Sequence, residues 1–225
     1  MEAKEAAALR AVSYVRDGMT IGIGSGSTAT FAIRAIGERV MREGLRIRGV
    51  PTSTRSRSLA ESLNIPEIDL TASVPIDLTI DGADEVDSNL NLVKGGGGAL
   101  LREKLVAKAS RQLLIICDST KLVPALGAFP LPVAVAPFGW ETTRTRLQRF
   151  CEAITLRKSS DGNQPYLSDD GLYILDLHLG KILDVPSLEE NIKRTVGVVE
   201  VGLFVGLTSR VIIGYPDGHT EERIP

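Results

Sequence analysis

Three apolar runs in this chain stop abruptly on polar residues: "MTIGI" opens onto "GSGST", "PIDLTI" onto "DGAD", and "QLLIIC" onto "DSTK". Each run is of strand length, and stretches with helical periodicity separate them. Strands alternating with helices assemble as a parallel sheet, because a right-handed crossover brings each new strand alongside the last. In an open sheet of this kind, ligands bind outside the carboxyl ends of the strands, near the reversal in strand order. Polar stretches far apart in sequence are thereby expected to meet in one crevice. That convergence constrains the chain more than any single motif.

The spacing predicts a helix over 4–16, with Ala7, Ala8, Val12 and Val15 as its small apolar positions. A strand over 19–23 and a helix from about Ser27 to Val40 follow, with Ser27 or Thr28 as the cap. "RIRGV" reads as a second strand, the hydroxyl-rich "PTSTRSRS" leads into a helix ending at Leu63, and residues 99–110 form another helix. Around 127–137 the texture changes to the proline-rich "GAFPLPVAVAP". A strand, a helix over 141–150, a strand over 153–157, two strands within 166–177 and a helix near 187–195 are predicted there. "SRVIIGYPDG" returns to the main sheet. The expected fold is α/β: a doubly wound, mostly parallel sheet with an inserted smaller α+β domain. The main domain is read as 1–127 plus 203–225 and the insertion as 128–202.

A length of 225 residues with 43% apolar and 24% charged residues suits an ordinary globular chain with a real core. A net charge of −2 and only 4% aromatics argue against nucleic acid or anionic membrane as a partner. No run approaches membrane-spanning length. The charged, amphipathic start "MEAKEAAALRAV" lacks an apolar signal core, so a cytoplasmic protein is expected. Cys117 and Cys151 form no CxxC, and His178 and His219 lie far apart, which leaves no zinc signature. Cys117 reads as a buried, inert thiol and His178 as a solvent-facing strand residue.

Gly24 to Ala29 fits the G-x-G-x-x-A dinucleotide pattern, yet no acid follows about 20 residues on. The P-loop pattern fails as well. What remains is either a tight turn into a capped helix or a cradle of N–H groups and hydroxyls sized for one phosphate. Lys4 and Lys121 would add positive charge to such a phosphate, though each taken singly is an ordinary surface lysine.

The stretch "DGADEVDSNLNLVKGGGGALLREK" places four carboxylates within seven positions, then Lys94, then four consecutive glycines. Four glycines in a row cost stability unless the bare backbone is used, here with N–H groups aimed at an anion or a developing oxyanion. The acids lack the EF-hand spacing, and Glu85 and Asp87 read as a solvated acidic turn. Asp81 differs, because it stands where an apolar strand opens into the crevice. Glu103 is bordered at three and four residues by Ala99, Leu100, Val106 and Ala107, while Lys104 and Lys108 fall on another face. Partial desolvation there raises a carboxyl pKa toward that of a useful general base, against the opposing field of the helix N-terminus. Carboxylates and a lysine, without thiol, metal or redox motif, suit proton transfer beside a carbonyl.

"GIGSGST", the 81–104 block and "CDSTK", together with "DGLYILDLH" and "GYPDG", closely resemble the A-type ribose-5-phosphate isomerase family. Ser25 stands where that family commonly has threonine, which keeps the hydroxyl, and Asp170 where asparagine is common. The resemblance implies interconversion of D-ribose 5-phosphate and D-ribulose 5-phosphate through an enediolate, with no metal and no cofactor. By position it implies Glu103 as the base, Lys94 on the enediolate oxygen, and Asp81 and Asp84 on the sugar hydroxyls and in ring opening. Ser25, Gly26, Ser27, Thr28 and Lys121, with Lys4, match the phosphate end. Gly82, Ala83, Gly95, Gly96 and Gly97 match loops against the sugar. A homodimer or dimer of dimers is implied too.

Two other classes are weighed beside it. Sugar-phosphate-sensing domains of transcription repressors share the architecture without catalysis, but they need a DNA-binding segment longer than the stretch before "MTIGIG". A nucleotide-binding oxidoreductase would need the missing ribose-binding acid.

Overall fold

The computed structural model describes residues 2–151 and 153–225. In chain order the first elements are α1 (Ala3–Val12), β1 (Thr20–Ile23), α2 (Ser27–Glu43), β2 (Arg48–Pro51), α3 (Thr54–Ser62) and β3 (Leu78–Gly82). Next come β4 (Glu85–Val86), β5 (Leu92–Val93), α4 (Leu100–Ala109), β6 (Leu113–Asp118) and a single 3-10 turn, Ser119–Lys121. Then follow β7 (Leu131–Val135), α5 (Trp140–Leu147), β8 (Ile154–Leu156), β9 (Tyr173–Leu177) and α6 (Val185–Lys193). The chain ends with β10 (Val198–Val201), β11 (Leu203–Phe204), β12 (Arg210–Gly214) and β13 (Thr220–Arg223).

Two compact units emerge. One comprises the residues up to Ala83, Arg102–Leu122 and Leu207–Pro225; the other comprises Asp84–Leu101 and Val123–Gly206.

The first unit is built on a six-stranded sheet in the order β13-β12-β6-β3-β1-β2, parallel except for β13. The chain moves outward from β1 to β2, then crosses to the other side at β3, so the reversal in strand order lies between β1 and β3. Side chains alternate across the sheet. Ile21, Ile23, Leu78, Ile80, Leu114 and Ile116 face α1, α2 and α3, whereas Val50 and Ile76 pack against Val106 of α4. In α2 the buried positions Ala29, Ala32, Ile33, Ile36 and Gly37 recur at three and four residues, the stripe a helix needs to lie on a sheet. Gly22 in β1 is required by that packing: a Cβ there would lie 2.0 Å from Thr79 Oγ1 and 2.6 Å from Val106 Cγ1.

α1 stops at Val12 instead of running to residue 16. Arg39 of α2 donates to the Val12 and Val15 carbonyls at 3.0 and 2.9 Å, satisfying groups that a longer helix would have used itself.

The second unit carries a four-stranded antiparallel sheet, β10-β7-β9-β8, over a core that includes Leu131, Val133, Leu147, Leu175, Ile192 and Val201. Residues 166–177 supply one strand, β9, where the sequence suggested two. A small three-stranded sheet, β11-β5-β4, was not anticipated. It ties the segment beginning at Asp84 to residues of the insertion, since Leu92 and Val93 pair with Phe204 and Leu203. The contacts therefore group 84–101 with 123–206, whereas the sequence reading kept 84–101 in the main domain.

Glu85 and Asp87 are not a solvated turn; both are buried. The Glu85 carboxylate accepts the N–H groups of Gly127 and Phe129 at 2.7 and 2.6 Å. Asp87 accepts from the Asn89 and Asn91 backbone N–H groups at 2.9 and 2.8 Å and from Asn91 Nδ2 at 3.1 Å, holding a turn in which Leu90 adopts φ +59°. Carboxyl groups that accept several backbone N–H bonds in this way brace the fold, and sequence spacing does not distinguish them from surface acids. Cys117 is buried, as expected, and burial pushes its thiol up to about 12. His178 is exposed and sits one residue past β9.

Glu85→Ala leaves the buried Gly127 N–H and the part-buried Phe129 N–H without an acceptor. We expect a loss of about 2–4 kcal/mol in urea unfolding, with Tm lower by about 2–4 °C per kcal/mol for a chain of this size. A midpoint unchanged from the parent would return Glu85 to the status of a surface acid.

Candidate functional site

In the first unit the polar groups gather at the strand-order reversal. β1 ends at Ile23, and the following Gly24 N–H donates to the Ile80 carbonyl of β3 at 3.0 Å. A side chain at position 24 would meet the Asp81 carboxylate at 2.4 Å, so the approach needs glycine. The next N–H, from Ser25, donates to Asp81 Oδ1 at 3.0 Å, and Gly82 donates to the same oxygen at 2.8 Å. Asp81 is only 1% exposed, at the carboxyl end of a central strand, as expected from sequence.

The loop then enters α2 through Gly26, which has φ +98° and no side-chain cap. Ser27 and Thr28 thus lie inside the first turn, and neither is the cap the sequence suggested. An uncapped helix N-terminus presents its N–H groups to an anion. Lys4 Nζ lies 3.3 Å from Ser27 Oγ. Gly214, at the end of β12, allows α1 to come this close, since a Cβ there would fall 1.8 Å from the Ala3 carbonyl oxygen. The Ser25 hydroxyl bonds Thr52 Oγ1 at 2.8 Å and Ser53 Oγ at 2.7 Å. Those partners belong to the hydroxyl-rich stretch noted in the sequence but given no role there. Lys121 lies in the 3-10 turn directly after β6, the strand beside β3.

α4 supplies the sharpest departure from ordinary packing. Its inward positions Leu100, Glu103, Lys104 and Ala107 repeat at three and four residues, and two of them are charged. Glu103 is 5% exposed and Lys104 2%, while the neighbouring Leu105 is 52% exposed. The sequence reading put Lys104 with Lys108 on another face. The three- and four-residue spacing from Leu100 and Ala107 was the available signal that it shares the buried stripe.

In the second unit Asp84, Lys94 and the glycine loop form one arrangement. Asp84 Oδ2 accepts the Gly96 N–H at 2.7 Å, and a Cβ at Gly96 would lie 2.5 Å from Asp84 Oδ1. Lys94 is buried, with Nζ 5.5 Å from the centre of the Phe204 ring, a cation–π distance. Gly95 and Gly98 have φ of +100° and +83°, which explains two of the four glycines. Gly98 also lies against Tyr166, whose hydroxyl would be 2.4 Å from a Cβ there. The loop's carbonyls are tied down. Arg157 Nη1 donates to the Gly95 and Gly96 oxygens at 2.8 and 3.0 Å, and the Tyr166 hydroxyl donates to the Gly97 oxygen at 3.1 Å. Arg157 and Tyr166 went unnoticed in the sequence, because these contacts span more than sixty residues.

Each unit thus presents its own share of the sequence-predicted residues. The first holds Lys4, Ser25–Thr28, Asp81, Gly82, Ala83, Glu103 and Lys121; the second holds Asp84, Lys94 and Gly95–Gly97. Among the described residues no group of three or more His, Cys, Asp or Glu side chains is disposed to hold a metal, and no helix is long and apolar enough to cross a membrane.

Comparison with known proteins gives one answer along nearly the whole chain. The family described as Ribose 5-phosphate isomerase A (phosphoriboisomerase A) matches residues 48–218. A Cereibacter sphaeroides protein named Ribose-5-phosphate isomerase A is 49% identical over 228 residues, covering 98% of this chain and 90% of that protein. The solved ribose 5-phosphate isomerase from Plasmodium falciparum superposes with a TM-score of 0.94 at 36% identity, covering 99% of this chain and 97% of the other. A D-ribose-5-phosphate isomerase solved in complex with phospho-erythronic acid gives 0.94 at 35% identity, with 99% and 97% covered. Identity of this extent, joined to the same fold, shows that the chain belongs to the ribose-5-phosphate isomerase A family of isomerases.

Proposed function

We propose that the chain interconverts D-ribose 5-phosphate and D-ribulose 5-phosphate through an enediolate, with Glu103 moving the proton. The observation that carries this reading is α4, which buries Glu103 and Lys104 and leaves Leu105 in solvent. A helix packing for stability alone would do the reverse, and such violations are expected where function demands them.

The steps follow from the groups present. The N–H groups at the start of α2, with Lys4 and Lys121, hold the phosphate. Asp81 and Asp84 take sugar hydroxyls and assist opening of the ring to the free aldehyde. Glu103 then removes the proton from C2, and the electron pair left behind moves onto the carbonyl oxygen at C1. Lys94 and loop N–H groups stabilise that oxygen. The same carboxyl returns the proton to C1 while the C2 hydroxyl proton passes to the oxygen at C1, giving the C2 carbonyl and the C1 hydroxyl of the ketose. Phospho-erythronic acid, bound by the solved relative, supports the reading chemically: it joins a phosphate to a planar anionic group, as an enediolate phosphate does. A homodimer or dimer of dimers in the cytoplasm belongs to the same reading, as does a place in pentose phosphate metabolism.

Glu103→Gln tests the base. Turnover of ribose 5-phosphate should fall by roughly 10²–10⁴, and exchange of the C2 proton with deuterated solvent should vanish with it. Glutamine keeps the size and shape of the side chain, so the fold should persist, which Tm checks. A kcat within a few-fold of the parent, or exchange that persists, would shift the role to Asp81 or Asp84.

For the phosphate end, Lys121→Ala should raise KM and weaken inhibition by inorganic phosphate, while unphosphorylated ribose should be a very poor substrate of the parent. Equal KM values in parent and variant would remove Lys121 from the site. The charge stabilisation assigned here uses a lysine and backbone N–H groups, so turnover should also survive exhaustive EDTA treatment. Loss of turnover that magnesium or zinc restores would contradict that assignment.

A further inference from the structure

Resting on the isomerase reading, we propose that Arg157 and Tyr166 are positioning residues that set the orientation of the glycine loop and, through it, of the Asp84 carboxylate.

The peptide bond is planar and trans. In a trans peptide the C=O of one residue and the N–H of the next point in opposite directions. Arg157 draws the Gly95 carbonyl toward itself at 2.8 Å, so the Gly96 N–H points the other way, and there it meets Asp84 Oδ2 at 2.7 Å. Arg157 also holds the Gly96 carbonyl at 3.0 Å, which turns the Gly97 N–H away from the guanidinium. That N–H meets no acceptor among the described residues, and the space a Gly97 side chain would occupy is open. Tyr166 holds the next carbonyl, that of Gly97, at 3.1 Å, and the Gly98 N–H folds back to the Gly95 oxygen at 2.9 Å. Three successive carbonyls are thus fastened on one side, which leaves the Gly97 N–H facing outward.

A glycine loop needs such fastening. Without side chains it has the largest choice of backbone conformations, and an oxyanion donor works only if it is already oriented. Arg157 is itself fixed, because Asp176 of β9 accepts from both Nε and Nη2, at 3.0 and 2.5 Å. Both side chains of that pair are 16% exposed, and its forked geometry removes the freedom a lone arginine would keep. Two regular strands therefore flank the fastening: Asp176 lies in β9, and Arg157 directly follows β8.

The test separates positioning from simple structural support. For the parent, Arg157→Gln and Tyr166→Phe, kcat and KM for ribose 5-phosphate are measured with inhibition constants for phospho-erythronic acid and inorganic phosphate. If the two side chains orient the loop, kcat falls tenfold or more for Arg157→Gln and at least threefold for Tyr166→Phe. Affinity for phospho-erythronic acid falls in parallel, while inhibition by inorganic phosphate stays within twofold. Tyr166→Phe keeps the ring and its packing, so it decides the matter alone if Arg157→Gln fails to fold. Constants within twofold of the parent throughout would overturn the proposal, and so would an equal loss of phosphate and phospho-erythronic acid binding. A parent that does not isomerise ribose 5-phosphate would overturn the isomerase reading and this one with it.

Discussion

The first unit depends on one close approach, that of the β1 loop to the end of β3. Gly24 bonds the Ile80 carbonyl and leaves room for Asp81, whose carboxylate then accepts the Ser25 and Gly82 N–H groups. Parallel pairing of β1 with β3 fixes the register, with Ile23 opposite Ile80, so Asp81 falls beside the loop. A one-residue slip would turn Asp81 toward the apolar face on which α1 and α2 pack. The reversal in strand order also leaves α2 with its uncapped N-terminus at that point, the turn to which the proposed function assigns the phosphate. Fold and site share a single constraint here.

Acids of the same short segment end in quite different roles. Asp81 and Asp84 each use one carboxylate oxygen on backbone N–H groups at the loops where substrate is placed by the reading above. Glu85 and Asp87 spend their oxygens bracing turns inside the second unit. Carboxyl oxygens tolerate burial where backbone N–H groups donate to them. Identical residue types a few positions apart therefore serve as structural braces or stand at the candidate site, depending on where the N–H groups come from.

Burying charges in α4 opposes stability, and the surrounding unit offsets it with an apolar sheet whose central strands are almost wholly enclosed. Leu114, Ile115 and Ile116 of β6, with Ile212 and Ile213 of β12, are at most 1% exposed. A rigid sheet beneath a polar rim lets the rim carry groups selected for reactivity over packing.

Period and punctuation made the first unit legible. Apolar runs ending on "GSGST", "DGAD" and "DSTK" implied parallel strands with polar carboxyl ends, and β1, β3 and β6 carry those loops. The 81–104 block was distinctive enough to carry the family likeness without structure. Short-range pattern failed where partners were distant. Two-residue strands such as β4, β5 and β11 have no periodicity to detect, and the pairing of β5 with β11 joins Leu92 and Val93 to the distant Phe204 and Leu203. Local pattern put Lys104 with Lys108 on another face of α4, and Glu85 reads locally as a solvated acid because its N–H partners lie 42 and 44 residues onward. Local backbone preference and side-chain period, which act over a few residues, set which elements form and which groups their ends carry. Which carboxyl groups are braces, which lysines are buried and which arginine holds the glycine loop emerge with folding, because desolvation and hydrogen bonding depend on neighbours that the chain brings in from far away.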